Sequence, residues 1–285
     1  MRKLSFLLLI LSSLVSIQSF SQIYDGNTLR ETSLNSFIDR IQPGSVVLLG
    51  EHHGLGAHRD QHLEVLNALR NKGLKVSVGM EFINYTEQTY LNEYRSGILS
   101  ESDFLKAVKW GGFGFEFYRP QILFPLSSRG ETALGLNISR QITSKISRQG
   151  IESLTPEEAA QLPPQFTLGR DSYRERFMAA AGSHCRVPQN CFIAQCAWDD
   201  TMAWNVVNFM QNNPDQVLVI VVGEFHVQYG GGMKWRIQQR SPATAVHTLS
   251  QLWAEGWSDQ DVSDALQISP IEGERADFIW ISGRP

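Results

Sequence analysis

The sequence predicts an α/β protein: a mostly parallel central sheet flanked by helices, with a helical cap or insertion at about 138–185. Three observations carry this. Segments such as "VVLLGE" and "VLVIVVGE" are continuous apolar runs, which marks strands covered on both faces. Strand-like and helix-like segments alternate along the chain, the order that builds parallel sheets with crossover helices. The composition, 42% apolar and 19% charged over 285 residues, supplies an ordinary core.

The first segment, "MRKLSFLLLILSSLVSIQSFSQ", reads as a secretory signal peptide. It has Arg2 and Lys3, an apolar stretch over 4–17, and Ser19 and Ser21 at −3 and −1 of a cut before Gln22. The apolar part is short for a membrane span and diluted by serines. A cleaved leader over 1–21 leaves one domain, 22–285, with a periplasmic or secreted destination and no stable membrane span. No Cys lies near the cut to carry a lipid. Losing Arg2 and Lys3 moves the net charge from −4 to −6, and an acidic chain argues against nucleic acid as a partner.

Strands are expected at 46–50, 75–80, 133–137, 217–223, 244–249 and 278–281, and helices at 57–71, 86–95, 101–108, 138–148, 171–182 and 198–211. Within the insertion, "LTPEEAAQLPP" offers Thr155 as an N-cap, Pro156 at the first helical position, and a Pro-Pro stop. An oxidising compartment lets disulfides persist. "HCRVPQNC" sets Cys185 and Cys191 around a Pro-Gln-Asn turn, so a bridge between them is expected; Cys196, in "FIAQCAW", is expected as a buried thiol.

"VVLLGEHH" and "VIVVGEFH" are each an apolar strand followed by Gly-Glu-X-His, and "VSVGMEF" ends a third strand with Glu81. In open α/β sheets, ligands gather at the carboxyl ends of the strands. His53, Glu81 and His226 are therefore expected to converge, and this donor set suits zinc or another divalent ion. Glu51 and Glu224 are candidates to orient the imidazoles, or to act as general base in a metal-dependent hydrolase. His58 and His62 are four apart, on the inward face of the next helix. Tyr229, followed by three glycines, is a candidate haem ligand in a loop with room for a flat ring. "KWGGFGFEFYRPQILFP" offers an aromatic wall, a second phenol in Tyr118, and in Arg119 a cation suited to a propionate.

The stretches "LLGEHHGLGAHRDQ", "VGMEF", "FYRPQILFPLSSRGETALGLN", "AQCAWDDTMAWNVV" and "VGEFHVQYGGGM" run over about 45–235. Together they resemble the ChaN-like haem-binding uptake proteins, within the wider group of TraB, Tiki and erythromycin-esterase proteins. The resemblance implies a single α/β domain and haem binding in iron acquisition, with stacked haems between two protomers as one arrangement. The cofactor-binding candidates are then His53, His58, Tyr118, Arg119, His226 and Tyr229. In the wider group, paired GxxH motifs and a Glu imply metal-dependent hydrolysis, here at His53, Glu81 and His226. The chain departs from the pattern in reading Gly-Glu-Phe-His where Gly-Asn-Gly-His is common, and in lacking the lipid-attachment Cys.

Overall fold

The computed structural model describes residues 20–284. Eight strands form one sheet: β1 (Phe20–Asp25), β2 (Glu31–Thr32), β3 (Val46–Glu51), β4 (Lys75–Asn84), β5 (Ala133–Asn137), β6 (Gln216–Gly223), β7 (Val246–Trp253) and β8 (Phe278–Arg284). Their order is β2-β1-β8-β7-β3-β6-β4-β5. From β8 through to β5 neighbouring strands are parallel, and β1 runs antiparallel to β8 and to β2. The mostly parallel α/β class is as expected. β1 and β2 carry no apolar run and escape a reading by pattern; β1 is fixed by its pairing with β8. The expected leader falls mainly outside the described residues, and β1 begins two residues before the expected cut.

Helices cover both faces: α1 (Leu34–Arg40), α2 (Gly56–Asn71), α3 (Gln88–Arg95), α4 (Glu101–Ala107), α5 (Arg119–Leu123), α6 (Arg140–Gln149), α7 (Pro156–Ala159), α8 (Asp171–Ala181), α9 (Pro188–Asn212), α10 (Glu224–Val227), α11 (Met233–Arg240) and α12 (Asp259–Leu266). The pleat sorts each central strand between two cores. Val47 and Leu49 of β3 face Val65, Leu66 and Leu69 of α2. Val46 and Leu48 face Met202 and Val206 of α9 and Ile237 of α11. Every residue of β3 and β6 is buried, which is why both read as unbroken apolar runs. Each fully buried Leu or Val contributes roughly 1.5–3 kcal/mol relative to exposure.

α9 starts at Pro188, ten residues before the expected start at 198. The expected Pro-Gln-Asn turn is instead its first helical turn, since Pro at N1 already has a helical φ and lacks an amide that needs a partner. Cys185 and Cys191 are joined, with Cα atoms 6.3 Å apart, and Cys196 is a buried free thiol pushed up to about 12 by burial. The Thr155–Pro156 start of α7 forms as expected, with a Thr155–Glu158 capping box.

Candidate functional site

The carboxyl ends of β3, β6 and β4 lie side by side, with Glu51 level with Gly223 and Met80 level with Val221. Three side chains expected to meet do meet there. His53 Nε2 is 3.9 Å from Glu81 Oε2, and His226 Nε2 is 3.4 Å from Glu81 Oε1. Glu81 Oε2 also accepts from the Gly223 amide at 2.7 Å. A Cβ on Gly223 would sit 2.9 Å from the His53 ring, so glycine here admits the protein's own imidazole against the end of β6.

Each imidazole is backed by an acid. His53 Nδ1 lies 2.9 Å from Glu51 Oε1, and His226 Nδ1 lies 2.6 Å from Asp199 Oδ1. Tyr173 closes the far end by donating its hydroxyl to Asp199 Oδ2. Burial pulls His226 down, but Asp199 and Glu81 outweigh it and hold the ring up at about 10. Burial pushes Glu81 up, yet the His226 charge, His53 and the Gly223 amide bring it to about 2. His53 is raised because the bond to Glu51 and the Glu81 charge overcome its burial. Exposure grades along the chain: His53 is 27% exposed, Glu81 12% and His226 7%, so the cluster opens at His53. Phe82 and Phe113 form an aromatic rim there, with ring centroids 4.8 and 5.1 Å from His53.

Other expected site residues lie elsewhere. Tyr118 is fully buried; it donates to Glu51 Oε1 at 2.7 Å and accepts from the Gly54 amide at 3.1 Å, so this phenol is committed to bracing Glu51. Arg119 stands apart, with its Nε 2.6 Å from Glu101 Oε2 near the surface. His58 is sealed under the 52–55 loop, where its Nδ1 accepts from the His52 amide at 3.0 Å. His62 is also buried, between Gln251 and Gln121. Glu224 does not face the cluster. It bonds Ser250 and Arg275, and burial pushes it up to about 7. Among the described residues no group of three His, Cys, Asp or Glu side chains is arranged to hold a metal ion. His53, Glu81 and His226 meet as carboxylate–imidazole contacts, and the expected zinc centre finds no support in this geometry.

A loop with room for a flat ring is expected after Tyr229, but at two of its three glycines, Gly231 and Gly232, neighbours fill the space. A Cβ on Gly231 would be 2.9 Å from Tyr173, and one on Gly232 would be 2.4 Å from the carbonyl oxygen of His226. The loop packs tightly against the site, and Arg236, fully buried, donates to the carbonyls of both Gly231 and Gly232. Gly232→Ala is therefore expected to cost about 1–3 kcal/mol, because backbone cannot give way as a flexible side chain can. Urea unfolding measures it; a change below about 0.5 kcal/mol would contradict this packing.

Asp199, Tyr173 and Gln195, whose Nε2 lies 3.3 Å from both His226 Nδ1 and the Tyr173 hydroxyl, are site residues beyond those expected. Their signal was present in "QCAWDDTMAW", where two adjacent acids interrupt an apolar helix. Buried acids need partners, and here Asp199 pairs with His226 while Asp200 pairs with Arg240.

A family model described as haem-binding uptake, Tiki superfamily, ChaN, matches residues 37–237. The chain belongs to this family of haem-binding uptake proteins. Among solved structures it is similar to ChaN of Campylobacter jejuni, whose structure has cofacially bound haem. That likeness covers 93% of this chain and 98% of that one, with a TM-score of 0.65 and 18% identity. An erythromycin esterase variant in an open conformation is similar over 88% of this chain and 92% of its own, with a TM-score of 0.50 and 11% identity. At these identities the likeness is one of fold. No curated protein matches the chain in sequence.

Proposed function

We propose that this is an exported haem-binding protein that serves haem or iron acquisition, cleaved before Gln22 and assembling as a homodimer around its haem. The observation that carries the reading is the family match over 37–237, which spans the whole His53–Glu81–His226 cluster. The residues suit a porphyrin on two counts. His53 is the partly open imidazole, within the Phe82–Phe113 rim. Tyr229 is the half-buried phenol, and its hydroxyl has no hydrogen-bond partner among the described residues. A bound haem would supply a ferric centre for a phenolate or imidazole. The chain's own residues bind it and orient it. Haemin added to the cleaved protein is expected to give a Soret band that saturates. Tyr229→Phe and His53→Ala are each expected to shift or weaken it, and Tyr118→Phe to leave the band in place. No band with the parent protein would defeat the proposal. Light scattering with and without haemin tests the dimer.

Hydrolysis is the second reading, favoured by one observation: two acid-backed imidazoles face a single carboxylate. In it, His53, oriented by Glu51, exchanges a proton with water at the open end. Turnover of simple esters, lost in His53→Ala with the fold intact, would support it; equal turnover in both proteins would remove it.

A further inference from the structure

The aromatic stretch after α4 divides into a fixed part and a loose one. Phe115 and Tyr118 are buried in the core, and Trp110 packs beside them, its ring centroid 5.0 Å from Phe115 and 5.7 Å from Tyr118. Phe113 is 40% exposed and rests against His53. Gly111, Gly112 and Gly114 flank it. A Cβ on Gly112 would meet nothing within 4 Å, and one on Gly111 nothing nearer than 3.9 Å, so this backbone stands clear of the protein. The amides of residues 111–114 have no acceptor among the described residues. There, too, Phe113 makes one hydrogen bond: its carbonyl accepts from the Trp110 indole N–H at 2.8 Å. Lys109, where the segment begins, is held at φ +51, a strained value for a residue with a side chain.

The seat beneath Phe113 is rigid by contrast. The ring fits a notch over Gly54, where a Cβ would come within 3.1 Å of it. The Gly54 amide donates to the buried Tyr118 hydroxyl, which also holds Glu51 behind His53. Both nitrogens of His53 face the protein. Nδ1 points to Glu51, and Nε2 lies toward Glu81 and Gly223, where a Cβ would be 2.9 Å from it. Of the two aromatic rings against His53, Phe82 is built into β4, and only Phe113 stands on backbone free to move.

We infer that residues 109–114 form a hinged flap, with Phe113 as the lid over His53 and the Trp110 N–H as its latch. Segments with few backbone hydrogen bonds open locally at low cost, and active-site lids are drawn from them. Opening breaks the Trp110–Phe113 bond and lifts a ring that is already partly exposed; it leaves Trp110, Phe115 and Tyr118 packed as they are. Closed, the flap shields the imidazole. Open, it uncovers the one histidine of the cluster that borders solvent. The inference holds for any ligand of the His53–Glu81–His226 cluster and does not rest on the haem reading.

The test is the rate at which diethyl pyrocarbonate modifies His53, read by tandem mass spectrometry as a ratio to His52, its exposed neighbour. Trp110→Phe keeps an aromatic ring and removes the latch, so the ratio should rise about fivefold, the scale of one net hydrogen bond. Gly111→Ala with Gly114→Ala stiffens the hinge and leaves Phe113 in place. Neither glycine has a positive φ, and a Cβ on Gly114 meets only the flexible end of Glu116. Alanine narrows the states open to a freed segment, so the ratio should fall about threefold. A fixed rim predicts the parent's ratio in both variants. Thermal unfolding confirms that each variant folds; if Trp110→Phe does not, the double-alanine variant decides alone. An unchanged ratio, or a shift of both variants in the same direction, overturns the flap.

Discussion

Asp199→Ala is expected to lower the free energy of unfolding by about 3–5 kcal/mol, the scale seen when one partner of a buried ion pair is removed. Asp199 is fully buried and holds His226 Nδ1 on one oxygen and the Tyr173 hydroxyl on the other. With His226 held up at about 10, its ring is charged at neutral pH. Removing the acid leaves a buried cation whose remaining partner is Glu81 at 3.4 Å, and strands a buried phenol. Asp199→Asn keeps the volume and an acceptor for Tyr173 but loses the charge, so it should fall between parent and Ala. Urea unfolding at pH 7 checks the order. If both variants stay within about 0.5 kcal/mol of the parent, His226 does not depend on Asp199 in the way the geometry requires.

The central strands and the short helix after β6 show what a sequence reveals and what it hides. β3 and β6 were legible because every residue in them is buried, so both faces demanded apolar side chains and the run was unbroken. The meeting of His53, Glu81 and His226 was legible for a topological reason: each follows or ends a parallel strand, and parallel strands finish on one edge of the sheet. The direction in which a side chain points was not legible. Glu224 and His226 are two residues apart on one short helix, yet one faces Ser250 and Arg275 and the other Asp199 and Glu81. Tyr118 and Arg119 are adjacent, yet the first braces Glu51 from inside and the second pairs at the surface. Gly231 and Gly232 read as open space because absence of a side chain looks alike whether the room is empty or filled by a neighbour; here Tyr173 and the His226 backbone fill it.

Acid is expected to destabilise the protein through His58. Burial, with the charges of His62 and His52, lowers this ring from 6.5 to about 3. A histidine depressed in the folded state stays neutral there while the unfolded chain takes up a proton. Stability is therefore fully present above pH 6.5 and is lost as pH falls from 6.5 towards 3. The whole gap is worth on the order of 5 kcal/mol at about 1.4 kcal/mol per pH unit, of which roughly 2–3 kcal/mol is spent by pH 4.5. His62, also lowered by burial, adds a loss of the same sign. Glu224 works the other way: held up to about 7, it takes its proton earlier in the folded state and returns some stability as pH falls from 7 to 4.5. The parent's acid curve alone thus mixes opposing terms, and the informative quantity is its difference from His58→Asn. Asparagine can still accept from the His52 amide, the one bond His58 makes through Nδ1, and it does not titrate. Unfolding free energies at pH 7 and pH 4.5 should show the variant losing about 2–3 kcal/mol less than the parent over that interval. Parallel losses in the two proteins would mean that His58 is not the buried neutral ring its surroundings dictate.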